Sequence, residues 1–194
     1  MTYDKGGRLM FLCKRQIDIH SRFGLPRIAF LSFVSTIIMF LICYEIMYYF
    51  SNTPLSDHYF PILLCAVIAL YPIHKCIHLL FFISYYKSFK IHQLSKSRWL
   101  PFFNIYVSQP INKYYFCLNL LLPFIIITGI FIRLIMSHPE FGHYFVFLIA
   151  LNFGYSITDF LYLKLILFSN YGNYIEEHQS GINILTKATN KYVK

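Results

Sequence analysis

The chain has 194 residues, 57% of them hydrophobic and only 13% charged, and it carries a formal net charge of +9. A soluble domain usually has about 25% charged residues, so this composition excludes an ordinary soluble globular protein. The positive charges flank long apolar runs, which favours contact with anionic lipid headgroups and argues against nucleic acid as a partner.

Four apolar runs predict an all-α membrane protein, built as a bundle of four transmembrane helices in the lipid bilayer. Each run has at least the ~20 residues that are needed to cross the hydrocarbon core. The predicted organisation is an N-terminal segment at 1–27, a membrane domain at 28–168 with spans at 28–50, 58–86, 115–136 and 144–168, and a tail at 169–194. A longer loop joins the second and third spans, and the turn signal Ser180-Gly181 indicates a hairpin in the tail.

The distribution of Lys and Arg predicts the orientation of these spans. Such residues cluster before the first span, between the second and third spans, and in the tail, whereas the short loops at 51–57 and 137–143 contain none. Loops rich in Lys and Arg stay on the cytoplasmic side, so both termini and the long loop are predicted to be cytoplasmic. The bias toward Ile, Tyr, Phe, Lys and Asn is typical of an AT-rich bacterial genome, which predicts a bacterial cell membrane.

A pair of histidines, His74 and His78, lies inside the second span. Two imidazoles four residues apart share one face of a helix, and this geometry suits a zinc ion. In zinc hydrolases of this pattern, a glutamate follows the first histidine and activates the metal-bound water. Here that position holds Lys75, which is a poor general base unless its pKa falls far, and which would repel a neighbouring zinc ion.

The fourth span supplies a carboxylate at a similar depth, Asp159. Counted from the predicted span ends, His74, His78 and Asp159 lie roughly 18, 12 and 13 Å from the cytoplasmic end of their helices. Two histidines and a carboxylate would make a three-ligand zinc site with an open fourth position. Asn152 and Ser156 share the helical face of Asp159, so they are predicted either to orient it as outer-sphere partners or to make interhelical polar contacts.

Two other charged groups inside the spans have alternative interpretations. Glu45 lies about 25 Å up the first span, which makes it a poor substitute base and favours an interfacial carboxylate. Lys75 costs ~2.5–3.5 kcal/mol to insert near the centre of a span, so it should pair with an acid, and Asp159 is the obvious one. An ion pair of this kind would leave the two histidines as hydrogen-bonded core groups.

Several motifs occur together and in order along the chain. They are the HxxxH pair His74 and His78, Pro123 in the third span, the run from Asn152 to Asp159, and the tail from Ile175 to Ile182. In these residues the chain resembles the membrane proteins grouped as domain of unknown function 3267, described as "putative zincin peptidase", and its layout is similar to that of site-2-type intramembrane metalloproteases. The resemblance implies a zinc cofactor held by His74, His78 and Asp159. The chain departs from the family motif at Lys75, where the motif has glutamate.

Three functions remain open on this basis. The sequence favours a degenerate, non-catalytic zincin relative, a pseudoenzyme of lost or altered activity that binds a membrane-protein partner or substrate. The second is an active membrane-embedded zinc metalloprotease that uses another base, because loss of the base costs ~10²–10⁴ in rate while polarisation by the metal would remain. The third is a small transporter or accessory subunit with a buried Lys75–Asp159 pair.

Overall fold

A computed structural model of the protein describes residues 11–51, 53–93, 103–178 and 181–187. Within these ranges the chain forms a bundle of four long helices with small antiparallel sheets at one end. The helices are α1 (Ile19–Phe23), α2 (Leu25–Phe50), α3 (Phe60–Phe81), α4 (Lys113–Ser137) and α5 (Gly142–Leu167). The strands are β1 (Phe11–Ile17), β2 (Phe89–Gln93), β3 (Phe103–Val107), β4 (Ile111–Asn112), β5 (Tyr174–His178) and β6 (Gly181–Lys187). Two 3-10 helices, Ile83–Ser88 and Pro139–Phe141, lie between them.

The helices α2 to α5 are each long and apolar enough to span a membrane. This confirms the predicted all-α membrane bundle. The largest difference from the predicted spans is at the end of the second, where α3 ends at Phe81 rather than at residue 86. The α-helix ends before Phe82 and a 3-10 helix follows, and the buried Phe82 ring stacks on Phe116 of α4 with the ring centroids 5.9 Å apart.

A four-stranded antiparallel sheet in the order β1-β6-β5-β4 closes one end of the bundle. We call this the sheet end, and we call the opposite end, which carries residues 51–59 and 138–141, the loop end. The hairpin predicted in the tail is present as β5 and β6. The segment before the first span, for which no strand was predicted, adds β1 alongside β6. The loop between the second and third spans forms a separate hairpin of β2 and β3.

The inner face of this sheet is apolar and packs beneath the helices. Ile175 lies between Ile111 and Ile184 in register, and Ile182 lies opposite Ile17. All five side chains are buried in one core cluster that also includes residues of α4 and α5. Burial of these side chains at roughly 1.5–3 kcal/mol each holds the sheet against the bundle.

The helix α5 lies at the centre of the bundle and packs against α2, α3 and α4. Its contact with α2 depends on Gly154, because a Cβ built there would overlap the Thr36 hydroxyl oxygen. The Ser32 hydroxyl of α2 donates a hydrogen bond to the Gly154 carbonyl oxygen. A small residue at this position lets the two backbones approach closely, as is typical of helix pairs in membranes.

Candidate metal centre

The two histidines of the HxxxH motif lie on the face of α3 that is turned toward α5. His74 is only 2% exposed, and the His78 imidazole follows one helical turn later on the same face, with the ring centroids 5.0 Å apart. Because residues at i and i+4 are stacked along a helix, both rings point into the same space between the helices. The sequence spacing therefore places both imidazoles at the boundary between α3 and α5.

Asp159 of α5 meets both rings. Its Oδ2 atom lies 3.1 Å from His74 Nε2 and 3.5 Å from His78 Nε2, and the two Nε2 atoms are 3.3 Å apart. The three atoms thus form a nearly equilateral triangle. Around a tetrahedral zinc ion with ligand distances of ~2.0–2.1 Å, neighbouring ligand atoms lie about 3.3–3.4 Å apart, so the observed spacing is that of three zinc ligands.

Asn152 decides which nitrogen of His74 faces this triangle. The Asn152 amide nitrogen lies 3.4 Å from both the Phe124 carbonyl oxygen and the Thr128 hydroxyl of α4, which leaves its Oδ1 to accept a hydrogen bond from His74 Nδ1 at 3.1 Å. His74 Nδ1 therefore carries the proton, and the lone pair of Nε2 faces the triangle. This orientation of an imidazole by its second nitrogen is what histidine ligands of metals commonly show.

Ser156 occupies a different position from the one predicted for it. Its hydroxyl donates a 2.8 Å hydrogen bond to the Asn152 carbonyl oxygen of its own helix. A serine bonded back to the preceding turn satisfies its own hydroxyl within the helix. Of the two predicted outer-sphere residues, Asn152 contacts a histidine of the triangle, and Ser156 supports the backbone that carries Asn152.

Lys75 and Glu45 do not take part in this triangle. Both residues are exposed on the surface of their helices. Among the described residues, the basic side-chain nitrogen atoms that approach the Asp159 carboxylate are those of His74 and His78, so the buried Lys75–Asp159 pair is not formed. Because α3 ends at Phe81, Lys75 is only six residues, or about 9 Å, from the sheet end of its helix. A lysine at that depth can extend its ammonium toward the membrane surface.

A second carboxylate, Glu177 of β5, approaches the triangle from the sheet end. It lies opposite Ile182 in register and shares a strand face with the buried Ile175. Its Oε2 atom accepts a 3.0 Å hydrogen bond from the Val107 backbone N–H of β3. The charges of Lys75 and Asp159 both act on this carboxyl, and burial raises its pKa to about 7.

Glu177 also borders a polar cavity of about 370 Å³ between the β2–β3 hairpin and the β5–β6 hairpin. Glu176, His178 and Asn183 contribute further polar side chains to the lining of this cavity. A carboxylate on an otherwise apolar strand face costs free energy unless it is hydrogen-bonded or paired with a positive charge. The bond from the Val107 N–H satisfies one oxygen of Glu177.

Comparison with protein families identifies the group to which these residues belong. The sequence matches the family described as "putative zincin peptidase", domain of unknown function 3267, over residues 67–174. The match covers more than half of the chain and includes both histidines and Asp159. The chain belongs to this family. No curated protein and no solved structure matches the chain.

The donor set of this zincin-family chain fits the zinc that the family name implies. In the neutral tautomers that leave Nε2 unprotonated, His74, His78 and Asp159 bring lone pairs within 3.5 Å of one another. Nitrogen and carboxylate oxygen atoms are common zinc ligands, and two histidines with one carboxylate are a known catalytic ligand set. A divalent cation between them would offset the repulsion between the lone pairs.

Two residues near the centre were not singled out by sequence reasoning. Glu177 lies in the tail, outside every predicted span, and only the fold of the hairpin brings it beneath the bundle. Asn119 lies inside α4 and is 2% exposed. The sequence could have indicated Asn119, because an amide within an apolar span is costly to place there and is therefore a functional candidate, as Asn152 was.

Proposed function

We propose that this protein binds one zinc ion within the membrane through His74, His78 and Asp159. The observation that supports the proposal most directly is the triangle of Nε2, Nε2 and Oδ2 atoms with sides of 3.1, 3.3 and 3.5 Å. Three protein ligands leave a fourth tetrahedral position, which zinc centres use for water or for a substrate atom. Asn152 supports the proposal further, because it orients His74 toward the ion.

The residue at the general-base position leads us to propose a non-catalytic or altered role. In the family motif, a glutamate after the first histidine takes a proton from water, and Lys75 has no acceptor for that proton while it is charged. Its exposed position on α3 supports a side chain directed toward the membrane surface. On this basis the protein acts as a zinc-binding pseudoenzyme that holds a membrane-protein partner.

We also propose that the sheet end faces the cytoplasm. The segments that lead into or out of the helices at that end carry clusters of Lys and Arg, whereas residues 51–57 and 137–143 at the loop end carry none. Positive residues near the ends of spans are retained on the cytoplasmic side during insertion. Both termini would then be cytoplasmic, with the polar cavity beside Glu177 open to that compartment.

The zinc proposal is tested by the metal content of the full-length protein purified in detergent. We expect close to one equivalent of zinc per chain, and loss of that zinc in the variant His74→Ala/His78→Ala. The variant His138→Ala/His143→Ala, which removes two histidines at the loop end, is the matched control and should keep its zinc. Absence of zinc from both the wild type and the control would reject the proposal.

The non-catalytic role is tested by comparing the cleavage products of membrane proteins in cells. We expect cells with the His74→Ala/His78→Ala variant to show the same products as cells with the wild type, at equal amounts of the protein. A product that is lost with this variant and retained with the His138→Ala/His143→Ala control would show that the centre hydrolyses peptides.

Glu177 favours one second candidate, an active zinc metalloprotease with a base from the sheet. In this mechanism Glu177 takes the proton that water loses as its oxygen adds to the peptide carbonyl carbon, and it then passes that proton to the leaving amine nitrogen. A pKa of about 7 suits a group that must both accept and return a proton near neutral pH. Beside the larger effect of burial, the Asp159 charge also raises the pKa of Glu177, which supports a position of Glu177 near the centre.

The variant Glu177→Gln separates this candidate from the first. A glutamine keeps an oxygen to accept the Val107 N–H bond, but it cannot take a proton. If Glu177 is the base, Glu177→Gln binds zinc as the wild type does and loses the cleavage products, whereas the neighbouring Glu176→Gln keeps them. Identical products from the wild type and Glu177→Gln would remove Glu177 from the reaction.

A further inference from the structure

Asn119 of α4 is a buried amide with an oxygen that no other described group satisfies. The residue is 2% exposed, and its Oδ1 atom has no hydrogen-bond partner among the described residues. The other buried membrane amide, Asn152, has contacts from both its oxygen and its nitrogen. An unsatisfied buried acceptor destabilises the fold, so its presence indicates a donor that the protein binds at this point.

Contacts between α3 and α4 place Asn119 at the level of His78. The Tyr115 hydroxyl donates a 2.8 Å hydrogen bond to the Phe81 carbonyl oxygen at the sheet end, where α3 ends and α4 begins. The two helices are antiparallel, so one turn up α4 from Tyr115 corresponds to one turn back along α3 from Phe81 and Phe82. These steps lead to Asn119 on one helix and to His78 on the other.

Contacts between α4 and α5 independently place Asn119 at the level of Asp159. The Asn152 amide nitrogen lies 3.4 Å from both Phe124 O and Thr128 Oγ1. Asp159 is seven residues, or about 10 Å, closer to the sheet end than Asn152. The same step along the antiparallel α4 leads from residues 124–128 to residues 117–121. Asn119 is therefore level with both Asp159 and His78.

Asn119 also lies on the side of α4 that faces the interior of the bundle. The buried residues of α4 recur at helical spacing as Phe116, Asn119, Leu120, Pro123 and Ile127. Residues three and four apart share one face of a helix, so Asn119 belongs to this buried stripe. Its unsatisfied oxygen thus lies within the bundle, at the depth of the three candidate zinc ligands.

We propose that Asn119 is a further polar residue of the metal centre, and that its Oδ1 accepts a hydrogen bond from the water molecule that completes the coordination of the ion. The inference rests on the zinc site proposed above. Water bound to a divalent cation is a strong hydrogen-bond donor, and it is the donor that the buried amide oxygen requires. Asn119 is a positioning residue, because it acts on the ion through that water.

An amide in this role would hold the water without removing a proton from it. A carboxylate beside the water accepts the hydrogen bond and can then remove the proton, whereas an amide oxygen accepts the bond without becoming protonated near neutral pH. Asn119 would therefore hold water at the ion in its neutral form. This chemistry agrees with a centre in which the family's glutamate is replaced by Lys75.

The test uses Co²⁺ as a spectroscopic substitute for zinc in the full-length protein in detergent. The affinity for Co²⁺, its visible absorption spectrum and the pH midpoint of that spectrum are measured for the wild type, Asn119→Leu, Asn119→Asp and the control Asn173→Leu, which alters an exposed asparagine outside the spans. For Asn119→Leu we expect one bound Co²⁺ with about 10–100-fold weaker affinity and a shifted pH midpoint, because outer-sphere partners commonly contribute this much. The control should match the wild type.

The variant Asn119→Asp keeps the test decisive if Asn119→Leu does not fold. A carboxylate at this position should be stabilised by the cation, so Co²⁺ should raise the melting temperature of Asn119→Asp more than that of the wild type. Unchanged affinity and spectrum in Asn119→Leu, or equal Co²⁺ stabilisation of Asn119→Asp and the wild type, would make Asn119 a packing residue only. A wild type that binds no Co²⁺ would instead reject the zinc site itself.

Discussion

At the scale of single residues, Asn152 connects the packing of the bundle to the chemistry of the centre. Its amide nitrogen contacts α4 through Phe124 and Thr128, while its oxygen accepts the His74 Nδ1–H bond. One side chain thus fixes both the distance between α4 and α5 and the tautomer of a candidate ligand. Buried networks in which every polar group is satisfied specify one arrangement more strongly than apolar contacts do.

The replacement Asn152→Leu should weaken metal binding without removing a ligand. Leucine has a similar volume but cannot accept a hydrogen bond from His74 Nδ1. The imidazole therefore loses the partner that holds its Nε2 toward the triangle. We expect about 10–100-fold weaker zinc affinity, measured by competition with a chelator of known affinity. The exposed change Asn173→Leu is the control, and equal affinities for Asn152→Leu and the wild type would contradict the proposed role.

A second prediction at the residue scale concerns the pH dependence of stability that Glu177 introduces. Burial raises the pKa of Glu177 from 4.5 to about 7, the Val107 N–H bond and the Lys75 charge oppose this, and the Asp159 charge adds to it. Between pH 4.5 and 7 the folded chain keeps a proton that the unfolded chain has lost, so the Glu177 contribution to stability falls as the pH rises.

Glu177→Gln should remove this fall. The melting temperature of the variant relative to the wild type should increase from pH 4.5 to 7 and remain level above pH 7. Thermal unfolding in detergent at several pH values measures it, with Glu176→Gln as the control because this neighbour lies on the other face of the strand. If the difference in melting temperature between Glu177→Gln and the wild type is the same at every pH, the pKa of Glu177 is not raised in the folded chain.

At the scale of secondary-structure elements, the long helices and the tail hairpin followed from local pattern, and the other strands did not. Runs of apolar residues predicted four helices, and the structure has four helices long enough to span a membrane. The tail hairpin was also foreseen, because its two strands are adjacent in sequence and joined by a turn signal. By contrast, β1 pairs with β6 across almost the whole chain, and no local pattern indicates so distant a partner.

The close contact between α2 and α5 gives a prediction at this scale. The variant Gly154→Ala should be destabilised by about 1–3 kcal/mol, because the added methyl group overlaps Thr36 in a packed interface. The matched control is Gly129→Ala on α4, where an added Cβ meets nothing within 4 Å and improves helix propensity. Thermal unfolding in detergent measures both variants, and equal stabilities would show that the interface relaxes around the methyl group.

At the scale of the whole molecule, the two histidines lie nearer to the sheet end of their helix than the predicted spans suggested. Because α3 ends at Phe81 and not at residue 86, His78 lies only three residues, or about 5 Å, from the sheet end of its helix. Asp159 is eight residues, or about 12 Å, from the end of α5, and the two helices are offset so that the side chains still meet. A centre this close to the sheet would be reached most directly from the sheet end.

The proposed orientation gives a prediction for the whole molecule in intact cells. A membrane-impermeant maleimide should label a cysteine introduced by Thr53→Cys at the loop end, and should label Cys13 of β1 only after the cells are permeabilised. Both positions are exposed, so accessibility should depend on the side of the membrane. The variant Cys13→Ser identifies the signal that belongs to Cys13. Labelling of Cys13 in intact cells, with Thr53→Cys protected, would reverse the orientation.

The sequence by itself determined the number of helices and the pairing of His74 with His78, because span length and i, i+4 spacing are properties of one continuous segment. It also indicated Asp159 as their partner, since a carboxylate in a span is costly without a purpose. Only the tertiary structure decided that Asp159 contacts both histidines while Lys75 stays exposed. Only the tertiary structure brought Glu177 beneath the bundle and Asn119 to the depth of the ligands. Contacts between distant segments depend on how the helices and strands pack in three dimensions, and periodicity within one segment carries no information about that packing.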